Sequence, residues 1–84
     1  MKTEYIIKTA AAKMPTSCWG RYQRIAVLEV EAGAAPAMIS TRARGVVRIV
    51  QTWERLHVGS TERCAAAQAM REAEELVARL SAKN

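Results

Sequence analysis

The stretch Ser40 to Gly59, STRARGVVRIVQTWERLHVG, constrains the fold more than any other part of the chain, because two incompatible periodicities compete in it. On a helical wheel Ile39, Ala43, Val46, Ile49, Val50, Trp53, Leu56 and His57 gather on one side. Arg44, Arg48, Gln51, Thr52 and Arg55 gather opposite. Read with the two-residue period of a strand, the same residues mix apolar and charged on both faces. The pattern therefore predicts a helix. Ser40 or Thr41 is placed to cap its first free amides, and Gly59 to end it in a left-handed conformation. Against this stand five β-branched residues (Val46, Val47, Ile49, Val50, Thr52) and Gly45, all poor helix formers. A third strand over roughly 45–56 is the alternative.

The rest of the chain is read around that choice. Glu4 to Thr9 is rich in β-branched and aromatic residues and predicts a first strand. Met14 to Gly20 is a connection broken by Pro15 and Gly20, with Trp19 as its natural anchor. Across Arg21 to Glu31 the residues Tyr22, Arg24, Ala26, Leu28 and Val30 alternate with Gln23, Ile25, Val27, Glu29 and Glu31, so a second strand is expected with Leu28 and Val30 toward the helices. Ile25 and Val27 then lie on the opposite face and need a cover. Ala32 to Pro36 is a turn or link. From Ser60 or Thr61 to about Ser81 a second helix follows, with Ala66, Ala69, Met70, Ala73, Leu76, Val77 and Leu80 as its apolar stripe. Its other side, including Glu72, reads as solvated surface.

The expected fold is α+β in one domain, 1–84: a two-stranded antiparallel hairpin packed on a C-terminal helical hairpin, ββαα. The alternative is a three-stranded sheet with one long C-terminal helix. Two strands alone are marginal in water. A third strand, a covering helical pair, or two chains pairing their sheet edges as a homodimer would each supply what is missing.

Charge narrows the functional classes. Residues 1–59 carry nine Lys/Arg against four Glu, whereas residues 60–84 carry four of each. Nine of the thirteen cations are Arg, whose planar fork suits carboxylates and phosphates. The expected partner is a protein or protein–nucleic-acid complex with an acidic surface, nucleic acid itself being a second candidate. The residues expected to bind it are Arg44, Arg48, Gln51 and Arg55, which follow one helical ridge, with Arg42 near its start. A solvated face with no partner is the plain alternative.

Catalysis is not expected. The chain has no Asp and one His, and His57 falls on the apolar side of the stretch, away from any nucleophile–base–orienter constellation. Cys18 and Cys64 lack zinc-site spacing; free thiols are expected, with a disulfide between them as the alternative. Glu72, Glu74 and Glu75 have no second group at metal-ligand spacing, and no Gly-rich phosphate loop occurs, so no metal or cofactor is predicted. A helix-turn-helix around Gly59 would make the Ala- and Glu-rich second helix the reader of DNA, which its chemistry does not suit. Tyr5 and Tyr22 alone could offer strand aromatics to RNA. No apolar run approaches a membrane span, and no secretory leader is visible, so a soluble cytoplasmic protein is expected.

The opening Met1-Lys2-Thr3-Glu4-Tyr5-Ile6-Ile7-Lys8 resembles the start of a small type I anti-CRISPR protein of phages and mobile elements. The resemblance covers eight residues and carries over no functional residue. It implies a non-enzymatic inhibitor that occupies a surface of a CRISPR surveillance complex or nuclease. Many such inhibitors are acidic DNA mimics, whereas this chain is basic. Three functions follow as expectations: an interaction protein of that kind, a direct DNA- or RNA-binding regulator, or a structural or oligomeric adaptor working through its strand edge.

Overall fold

A computed structural model describes residues 2–11, 21–58 and 65–82. Three strands, β1 (Thr3–Ala11), β2 (Arg21–Glu31) and β3 (Val46–Val58), precede one helix, α1 (Ala65–Ala82). The strands form an antiparallel sheet in the order β1-β2-β3. This is the alternative architecture, and the helical hairpin of the ββαα expectation is not formed. Residues 46–58 are extended, and residues 32–45 form an irregular connection across the sheet.

The reason lies in the register. From Val30 to Gln23, seven steps along β2, the partner strand takes ten steps, from Val46 to Leu56. One extra residue enters β3 at each of three irregularities, between Gln23 and Ile25, Val27 and Leu28, and Glu29 and Val30 of β2. Each bulge turns a two-residue spacing into three. Val46 and Ile49 therefore share one face, and Val50, Trp53 and Leu56 share the other. Projected on a wheel, a strand bulged this often imitates an amphipathic helix. The β-branched run decides the matter, since it fits a pleated surface and crowds a helix.

The predicted cap also has another role. The Ser40 hydroxyl accepts the Arg42 amide at 3.1 Å, a local turn within the connection. Gly45 closes the connection with φ +87°, a left-handed conformation that favours glycine. A Cβ built there would come within 2.5 Å of the Ala34 Cβ, so glycine is needed for space as well.

Both faces of β2 are covered. Ile25, Ala26, Val27, Leu28 and Val30 are all fully buried. The sides are the reverse of the expectation: Ile25 and Val27 meet α1, and Leu28 and Val30 lie under the connection. On the helix side, Ala66, Ala69 and Ala73 are buried against the sheet. Alanine at these positions lets the α1 backbone approach closely. Met70, Leu76, Val77 and Leu80 complete the predicted stripe. On the other side Ala34 and Ile39 of the connection pack with Ile6, Val46 and Ile49 over Ala26, Leu28 and Val30. The sheet is thus sandwiched between a helix and a loop. The connection could take that place because it is small and apolar over Ala34 to Ile39, a stretch whose first part reads in the sequence as a mere link.

The Trp53 indole donates to Glu72 Oε2 at 3.0 Å, joining β3 to α1. Glu72 therefore does more than solvate its helix face. Trp19, Cys18, Cys64, Gly59 and the proposed start of the second helix at Ser60 or Thr61 lie outside the described residues.

Candidate interaction surface

The residues expected to form one arginine ridge fall in different local structures. Arg42 and Arg44 are exposed in the connection before β3. Arg48 is on the helix-side face of the sheet, opposite Glu29. Gln51 is exposed at a bulge opposite Val27. Arg55 lies on β3 next to Leu56, and its side chain is outside the described set, as is that of His57. A single helical ridge needs a helix, and the bulged strand replaces it.

Arg48 is engaged within the protein. Its Nε donates to Glu29 Oε1 at 2.7 Å. The Thr3 hydroxyl donates to Glu29 Oε2 at 2.8 Å. Thr3, Tyr5 and Glu29 face the helix side because Tyr5 pairs with Glu29 in register and Thr3 is two residues away. The Arg48 hydrogen bond, followed by that from Thr3, holds the Glu29 carboxyl below the usual carboxylate range. The same contact with Glu29 raises the Arg48 guanidinium above its ordinary value. This network over all three strands was missed in the sequence. Its signal, Glu29 and Arg48 as cross-strand neighbours, becomes readable only once the third strand and its register are known.

Arg24 Nη1 lies 3.6 Å from Glu54 Oε1, with both side chains well exposed, an arrangement that contributes little to stability. Arg42 and Arg44 take part in no ion pair among the described residues. By register Lys8 and Arg24 lie on the sheet face that the connection partly covers. The charge is therefore divided between layers. Segments 2–11 and 21–58 hold eight Lys/Arg and four Glu, whereas α1 holds two Arg and three Glu.

Among the described residues no group of three or more His, Cys, Asp or Glu side chains is placed to hold a metal ion. Among the same residues no helix is long and apolar enough to cross a membrane. No protein-family model, curated protein or solved structure matches the chain.

Proposed function

We propose that the chain is a small non-catalytic interaction protein whose helix-free side docks on an anionic surface, that of an acidic protein or of a protein–nucleic-acid complex. The observation supporting this reading is the division of charge between layers, with the cationic excess in the sheet and its connection. Arg42 and Arg44 lead the surface, since both are exposed and their guanidiniums are uncommitted to carboxylates among the described residues. Arg24 and Lys8 widen it. Arginine forks on a loop suit carboxylate and phosphate oxygens alike. Inhibition of a CRISPR surveillance complex or nuclease, implied by the resemblance at Met1–Lys8, is one interaction of this kind. Direct binding of DNA or RNA is another.

The test is fluorescence anisotropy against a labelled duplex, a labelled single strand and a labelled poly-glutamate peptide, from about 50 to about 300 mM salt. Binding should fall steeply with salt and be lost in the Arg42→Glu/Arg44→Glu variant. Binding to the peptide alone assigns a protein partner, and binding to the oligonucleotides alone assigns nucleic acid. No binding to any of the three at the lowest salt, or undiminished binding by the variant, refutes the proposal.

A further inference from the structure

A sheet edge carries unpaired backbone donors and acceptors that can template another strand. Among the described residues this sheet has two edges, β1 and β3, and they differ. The three irregularities of β3 break the even row of groups that a partner strand needs. β1 pairs with β2 through nine residues without a shift, so its outer row is regular.

Which groups lie in that row follows from two hydrogen bonds. The Lys2 carbonyl accepts the Ala32 amide at 3.1 Å, so Lys2 directs its backbone inward to the β2 side. Glu31, opposite Thr3, turns its amide the other way, to the Gly45 carbonyl at 2.8 Å. In an antiparallel ladder this direction alternates. The backbone groups of Glu4, Ile6 and Lys8 therefore point at β2, and those of Thr3, Tyr5, Ile7 and Thr9 point outward.

We propose that two copies of this chain join β1 to β1, antiparallel about a two-fold axis at Ile6, into one continuous six-stranded sheet. In that register Tyr5 lies opposite Ile7 of the second copy, and Thr3 opposite its Thr9, and each pair exchanges two backbone hydrogen bonds. Between them fall the closer, non-hydrogen-bonded pairs: Ile6 with Ile6, and Glu4 with Lys8, twice by symmetry. Opposite charges directly across the seam are the cross-strand pairs that stabilise a sheet. Glu4 Oε1 accepts the Gly33 amide at 3.2 Å, which leaves Oε2 for the ammonium.

The strand is complementary to itself in this register and not in its neighbours. A shift of two residues one way sets Lys8 against Lys2, and the other way sets Ile6 against Lys8 and Glu4 against Ala10. A shift of one residue places opposed side chains on opposite faces. This charge match is what selects a second copy as the occupant of the edge. The joint uses neither Arg42 nor Arg44, and Arg42→Glu/Arg44→Glu should leave it intact.

Sedimentation equilibrium of the full chain tests the joint, with circular dichroism confirming that each variant is folded. The wild type should dimerise. Glu4→Lys and Lys8→Glu should each weaken the dimer about tenfold or more by setting like charges across the seam. A mixture of the two should recover a heterodimer, and Glu4→Lys/Lys8→Glu in one chain should recover a homodimer. In a Cys18→Ser/Cys64→Ser background, Ile6→Cys should cross-link on mild oxidation. A non-hydrogen-bonded pair sets its Cα atoms about 4.5 Å apart, within disulfide range. Ile7 faces Tyr5 and is about 7–8 Å diagonally from its own copy, so Ile7→Cys should not cross-link. A wild type that stays monomeric at millimolar concentration, charge variants as tightly dimeric as the wild type, or cross-linking at Ile7 in place of Ile6 overturns the proposal. In the first case a strand from a different protein inherits the edge.

Discussion

Gly45→Ala should be among the most damaging single-methyl changes in the chain. Two separate costs arise at this position. The first is conformational: at φ +87° an L-residue is disfavoured by about 1–2 kcal/mol. The second is steric, because the new Cβ would sit 2.5 Å from the Ala34 Cβ. Overpacking of this kind costs about 1–3 kcal/mol after local adjustment. Together they give roughly 2–5 kcal/mol, against a total stability of roughly 4–13 kcal/mol for a chain of this length. The Gly45 carbonyl also accepts the Glu31 amide at 2.8 Å, so displacement of the turn disturbs the end of β2. Urea unfolding followed by Trp fluorescence should show the midpoint lowered by about 2 M, given a slope near 1.5 kcal/mol per M. A second substitution separates the costs. Ala34→Gly removes the clashing methyl, so Gly45→Ala/Ala34→Gly should recover about 1–3 kcal/mol of the loss and keep the conformational part. A Gly45→Ala variant within about 0.5 kcal/mol of wild type, or a double variant with no recovery, refutes this reasoning.

Two further outcomes follow from the same contacts. Ala73→Leu inserts three carbons at a fully buried helix–sheet contact and should lower stability by about 1–3 kcal/mol, read as a reduced thermal midpoint. Glu29 has its folded pKa depressed by Arg48 and then Thr3, so its stabilising contribution is present above its unfolded pKa and is lost as pH falls through the folded one. Glu29→Gln should therefore flatten the acid limb of a stability–pH profile, measured from urea midpoints, and leave the neutral-to-basic limb parallel to wild type.

Strands β1 and β2 were legible because each holds a short run of β-branched, aromatic and other apolar residues flanked by charged ones: Arg21–Glu31 was read with its observed bounds, and Glu4–Thr9 lies inside Thr3–Ala11. The stripe of α1 was legible because Ala66, Ala69, Ala73 and Leu80 keep helical spacing from start to finish. β3 was not, and the cause is physical. Wheel projection assumes a fixed rotation per residue, and the three bulges insert residues that the projection counts as helical turn. The sides of β2 were exchanged because alternation sorts residues into two sets and says nothing about which set meets the helix. Of the proposed binding residues, Arg42 and Arg44 stayed exposed. Arg48 is exposed as well but is paired with Glu29, a pairing invisible without the third strand.

Residues 32–45 would be classed as a loop by any account of their backbone, yet Ala34 and Ile39 roof one side of the sheet. A designer replacing this segment with a tight two-residue hairpin would keep the strand order and strip the roof, leaving Leu28 and Val30 bare to water. The shortened chain would gain a greasy plate fit to stick to its own kind. For this molecule, the length of its longest described irregular stretch is thus a condition of keeping that face of the sheet from water.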